Sequence, residues 1–221
     1  MRRLLVLRPE PGASVSVERA RSLGLDALAV PLFNVEPVEW QVPEAGSFDG
    51  LLLTSANAVR CGGEGLPELR KLKAYAVGAA TAAAAREAGL DIAATGDAGV
   101  DRLLGSIDAD LKLLHLCGAD ARAPVEARQE IRPIVVYRAE AVASPDLSGV
   151  GGSVAMVHSP RAGRRLAELV STRNSIAIAA ISAAAASAAG DGWDSVEAAD
   201  QPSDEALLAL AARLCNKPQP K

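Results

Sequence analysis

Two stretches of the chain run the same programme at the same spacing, and this repeat constrains the fold more than any other feature. Leu51-Leu52-Leu53-Thr54-Ser55 is an apolar strand run that breaks at a hydroxyl turn, and Val154-Ala155-Met156-Val157-His158-Ser159 does the same. Ser55 precedes Gly78 by 23 residues, and Ser159 precedes Ser182 by 23. Each of those later positions ends a second apolar run and opens an Ala-rich helix, over residues 79–85 and 183–189. Self-similarity with matched turn chemistry marks two units of one architecture. Short unbroken apolar runs alternating with helical stretches specify α/β units whose parallel strands are buried on both faces.

The rest of the chain fits this frame. Residues 4–7 form a strand run, Ala13, Val17, Ala20 and Leu23 recur at helical spacing before Gly24, and residues 27–30 read as a second strand. That is a βαβ opening with a right-handed crossover. Further strands are expected at 74–77, 113–116, 134–137, 176–181 and 195–198. Ser203, Asp204 and Glu205 start a last helix with Leu207, Leu210, Ala211 and Leu214 on one face, and a frayed tail is expected over 216–221. Residues 31–37 and 134–139 are extended and β-prone. The expected fold is therefore two similar open α/β lobes with parallel sheets, joined by a two-stranded hinge ladder, with the chemistry in the cleft between them. Lobe 1 comprises residues 1–34 and 140–221, lobe 2 residues 38–133, and the hinge strands residues 35–37 and 134–139.

Composition removes several function classes. A net charge of −4 over 221 residues gives no electrostatic footprint for nucleic acid. Met1-Arg2-Arg3 begins like a signal peptide, but Arg8-Pro9 ends the apolar run too early for a secretory segment, and no stretch is long enough to span a membrane. A cytoplasmic protein is expected. Cys61, Cys117 and Cys215 are scattered without CxxC spacing, and His115 and His158 lack metal-ligand partners, so neither a disulfide framework nor a metal site is expected. Phosphate-loop, dinucleotide, hydrolase-elbow and zincin motifs are all missing. No long exposed apolar helix demands a partner, and a monomer is expected.

The candidate functional positions lie at strand-to-helix turns: Arg8, Thr54, Ser55, Asn57, Gly78, Thr81, Gly118, Ser159, Arg161 and Ser182. In open parallel sheets ligands bind beyond the carboxyl ends of the strands, where the first N–H groups of the following helices favour anions. Ser55, Ser159 and Ser182 also read as plain helix caps, and the two roles are compatible. His158, His115, Trp40 and Trp193 read first as packing residues.

Five segments in order carry a family likeness: Leu7-Arg8-Pro9, Leu53-Thr54-Ser55-Ala56-Asn57-Ala58-Val59, Val77-Gly78-Ala79-Ala80-Thr81-Ala82, Val135-Val136-Tyr137, and His158-Ser159-Pro160-Arg161. Together they resemble the uroporphyrinogen-III synthase family over nearly the whole chain. The resemblance implies two flavodoxin-like lobes joined by a two-strand ladder, a lyase without metal or cofactor, and hydroxymethylbilane, a linear tetrapyrrole with eight carboxylates, as substrate. It implies dehydration to an azafulvene, attack through the substituted carbon of ring D to a spiro intermediate, and closure with ring D inverted. It assigns Tyr137 to departure of the hydroxyl, and Ser55, Thr81 and Ser159 to substrate contact. Arg8 and Arg161 become candidates for pairing with its carboxylates. A hundredfold preference for the inverted product needs only about 2.7 kcal/mol between competing transition states. Two departures stand out: Ala185 where the family often has Thr, and a short 119–132 crossover containing Pro124. The competing readings are a non-enzymatic bilobed cytoplasmic binding protein for a small anion, and a flavodoxin-like regulatory or nucleotide-binding module.

Overall fold

A computed structural model describes residues 1–97 and 99–217; part of the tail expected after Asn216 lies outside them. The chain forms two compact α/β units. One is split, Met1–Asn34 with Ala141–Lys221, and the other is continuous, Val35–Glu140.

In the split unit, β1 (Leu4–Val6), α1 (Gly12–Ser22) and β2 (Ala27–Ala29) come first. After the continuous unit follow β9 (Val154–Val157), α5 (Pro160–Leu169), β10 (Ala177–Ala180), α6 (Ala183–Ala189), β11 (Ser195–Ala198) and α7 (Asp204–Cys215). The sheet order is β11-β10-β9-β1-β2, with every pair parallel. Counted along this unit alone, that is the 2-1-3-4-5 order of doubly wound flavodoxin-like sheets. All residues of β1, β9 and β10 are buried, which is why their sequences are unbroken apolar runs. Ala13, Val17 and Ala20 of α1 and Leu207, Leu210, Ala211 and Leu214 of α7 share a core with Leu4, Val6, Val154 and Met156. On α5, Gly163 lets α6 approach: a Cβ there would stand 2.9 Å from the Ala185 carbonyl oxygen. Ala185 is fully buried at that contact.

The continuous unit holds β4 (Gly50–Leu53), α2 (Ala56–Arg60), β5 (Lys73–Val77), α3 (Ala79–Glu87), β6 (Asp91–Gly96), α4 (Val100–Gly105), β7 (Lys112–Gly118) and β8 (Glu130–Ala141). With β3 (Phe33–Pro37) its sheet order is β3-β8-β7-β4-β5-β6. Leaving β3 aside, this is the order of the split unit after cyclic permutation: β4, β5, β6, β7 and β8 correspond to β9, β10, β11, β1 and β2. The register agrees too, since Leu53 pairs with Ala76 and Val157 with Ala180, a separation of 23 residues in both. The repeat read from the sequence is thus a repeat of topology and of register.

Two elements, β6 and α4, were not foreseen, whereas the short crossover containing Pro124 stands out in the sequence. β6 (Asp91-Ile92-Ala93-Ala94-Thr95-Gly96) has no long apolar run, and α4 is only six residues, too short for its buried Leu103 and Leu104 to show a helical period. The β7–β8 crossover has no helix at all, and over residues 119–129 the chain is irregular. That loop leaves a cavity of about 330 Å³ against His115, Cys117 and Gln129. Bonds from Val38 N–H to the Val136 carbonyl and from Val142 N–H to the Leu32 carbonyl bracket the β3–β8 ladder, so β3 covers only the later half of β8. Pro133 lies in the uncovered half, where a strand edge tolerates proline.

Candidate active site

The carboxyl ends of three neighbouring strands, β7, β4 and β5, with the middle of β8 beside them, bring most of the sequence candidates of the continuous unit to one level. Two residues beyond the Leu53–Ala76 and Leu53–Leu116 pairs, the registers align Ser55 with Gly78 and Gly118, and Gly118 pairs with Tyr137. Ser55 caps α2 by accepting the Asn57 N–H at 3.2 Å. Its own O–H remains to donate, and the hydroxyl lies near enough to the Tyr137 phenol to favour its ionised form slightly. Gly118 is the floor beneath that ring: a Cβ there would lie 2.6 Å from the Tyr137 Cζ, so any larger residue displaces the phenol. Burial raises the Tyr137 pKa, and the Ser55 hydroxyl only partly offsets it. The phenol is a neutral donor throughout the physiological range.

Gly78 precedes α3 with φ +85°, a left-handed conformation that favours glycine, and the space above its Cα is open. A ligand can therefore approach the first N–H groups of α3, which lie ahead of the first intrahelical bond. Thr81 is 5% exposed, on the buried face of α3. Asn57 Oδ1 accepts from Arg60 at 3.5 Å.

Thr54 shares a 2.9 Å hydrogen bond with His115 Nε2. His115 is 3% exposed, and burial lowers its pKa to about 4. Between about pH 4 and 6.5 the unfolded chain binds a proton here that the folded chain refuses, so stability falls as pH drops through that window. The expected loss is about 3 kcal/mol between neutral pH and pH 4. Urea unfolding across this range should show it, and His115→Gln should flatten the curve. A variant curve as steep as the native one would remove His115 as the cause.

In the split unit Ser159 caps α5 and Ser182 caps α6, accepting the Ala162 and Ala185 N–H groups at 3.1 and 3.3 Å. The Arg161 guanidinium lies over the Phe33 ring at 4.4 Å. A group the sequence did not reveal gathers on Asp204, the first residue of α7. Asp204 Oδ1 accepts from Arg8 at 2.9 Å and from His158 Nε2 at 3.0 Å, and Oδ2 accepts from Arg19 at 3.3 Å. Ser16 Oγ donates to the same carboxylate at 3.3 Å. Burial lowers the His158 pKa, and the Arg8 charge adds to this, so the imidazole is neutral and donates Nε2–H to Asp204. The His158 hydrogen bond, followed by Arg8, holds the Asp204 carboxyl below the usual range. Trp193 is a buried packing residue whose indole N–H reaches the Ala189 carbonyl.

No helix among the described residues is long and apolar enough to cross a membrane, and they contain no cluster of metal-ligating side chains. The chain resembles the solved uroporphyrinogen-III synthetase of Helicobacter pylori (TM-score 0.64, 20% identity), covering 97% of this chain and 100% of that one. It also resembles a mutant uroporphyrinogen III synthase of Thermus thermophilus (TM-score 0.55, 20% identity), covering 98% and 100%. These likenesses show the shared fold. No curated protein matches significantly by sequence. The sequence pattern described as "Uroporphyrinogen-III synthase HemD" matches residues 14–209, nearly the whole chain, and the protein belongs to this family of cyclising lyases of haem biosynthesis.

Proposed function

We propose that this chain converts hydroxymethylbilane to uroporphyrinogen III by dehydrating cyclisation with inversion of ring D, acting as a cytoplasmic monomer without metal or cofactor. The observation that carries the reading is the Ser55–Gly118–Tyr137 arrangement in a member of this family. It holds a protonated phenol, seated on a glycine and near a helix-capping serine, level with the carboxyl ends of β4 and β7. The Tyr137 O–H donates to the departing ring A hydroxyl, which leaves as water while the pyrrole nitrogen lone pair forms the azafulvene. Ring D then attacks through its substituted carbon, and the spiro intermediate fragments and recloses with ring D inverted. The capped turns at Ser55, Ser159 and Ser182, the open approach to α3 over Gly78, and the guanidinium groups of Arg8 and Arg161 receive the carboxylate arms. Holding the bilane in a reactive conformation supplies the selectivity.

The purified protein should form the type III isomer from hydroxymethylbilane with no addition, the isomers being separated after oxidation. Only type I product, at the spontaneous rate, would overturn the reading.

A further inference from the structure

We infer that Gly12 and Asp204 are positioning residues that hold the Arg8 guanidinium as a clamp for a substrate carboxylate, an inference that rests on the bilane reading above.

Arg8 stands two residues beyond Val6 of β1, and the same registers carry His158 two residues beyond Met156 of β9. Between β1 and β9 the strand order of the split unit reverses. Crevices at such switch points are where open α/β sheets take their ligands.

The arrangement around Arg8 is constrained on two sides. Asp204 grips Nη1 from α7, and Ser16 from α1 meets both partners. From below, Gly12 leaves room: a Cβ there would stand 2.6 Å from Nε, 2.9 Å from Cζ and 3.1 Å from Nη2. Only glycine lets the guanidinium rest across the first turn of α1. Nε and Nη2 make no hydrogen bond among the described residues, and the side chain is 33% exposed. Guanidinium and carboxylate match as a two-bond fork, and these two nitrogens form one. Charge points the same way. Two guanidinium groups, Arg8 and Arg19, share the single Asp204 carboxylate with a neutral imidazole, so the groups in direct contact carry one surplus positive charge.

This geometry separates activity from stability. Gly12 is helical, so Gly12→Ala should leave the melting temperature unchanged or raise it, because alanine lowers the entropy of the unfolded chain. The same change pushes the guanidinium out of place. Steady-state rates with hydroxymethylbilane should show KM raised about tenfold in Gly12→Ala and in Asp204→Asn, the loss appearing in KM rather than kcat. Gly12→Ala combined with Arg8→Ala should lose no more than Arg8→Ala alone, as expected when one change acts through the other. Titration with uroporphyrin III, followed by its fluorescence, should show the same order of affinities without turnover. An unchanged KM and uroporphyrin affinity in Gly12→Ala, or losses that simply add, overturn the clamp. Absence of type III product from the native protein overturns the synthase reading instead, and the uroporphyrin titration then decides the clamp by itself.

Discussion

Tyr137→Phe should lower kcat for type III product by on the order of a hundredfold, at the lower end of what a positioned proton donor contributes. In the proposed reaction the leaving group is a hydroxyl, a poor one unless its oxygen receives a proton or a strong hydrogen bond as the bond breaks. Ser55 Oγ accepts the Asn57 N–H and keeps its own hydrogen to donate, so the nearby phenol can turn its hydrogen to substrate. Phenylalanine keeps the ring on Gly118 and loses only that donor. The fold should survive with a cost of no more than about 1 kcal/mol, that of one net hydrogen bond. Initial rates and a thermal melt on the same preparation separate the two effects. Unchanged kcat would take Tyr137 out of the chemistry, and a collapsed melt would assign its role to packing.

Arg2→Ala should cost about 3–5 kcal/mol of stability, the typical penalty for breaking a buried ion pair by removing one partner. Arg2 is 6% exposed. Its guanidinium reaches Asp194 at 2.7 Å and the carbonyls of Gly152, Ser153 and Ser175 at 3.0, 2.8 and 2.6 Å. Those residues precede β9, β10 and β11, and Arg2 itself precedes β1, so one side chain gathers the amino ends of four strands. Without it the Asp194 carboxylate, 17% exposed, loses its ion-pair partner, and three carbonyls lose a donor. Urea unfolding measures the change. A loss below about 1 kcal/mol would mean that water replaces the guanidinium, as it does at exposed pairs.

The sequence was most legible where chemistry is local. The buried strands announce themselves as apolar runs, and Ser55, Ser159, Ser182 and Ser203 each accept a helix N–H, as their places before helices implied. Legibility failed where meaning depends on distant partners. Asp204 reads as a first-turn acid suited to the helix dipole, and nothing within the run 203–214 indicates that it meets Arg8, 196 residues earlier. Gly12 is silent for another reason: a missing side chain does not reveal what lies above it, and for the same reason Gly118, a candidate from its place after a strand, gave no sign of the ring it carries. β8 hid its length behind Pro133 and alternating charges, and β6 is half-exposed along alternate residues, so neither offers an unbroken apolar signal.

The cyclic permutation has a consequence for the nascent chain. β1 and β2 leave the ribosome first, yet β9, the strand that β1 pairs with on its other side, is complete only at Val157. The continuous unit has every one of its own strands by Ala141. During synthesis it can close while the opening βαβ segment waits with one edge of β1 unpaired. Such an edge is a template for other chains. The protein is therefore most exposed to misassembly in the interval between residues 30 and 157, when its oldest strand is still without its central neighbour.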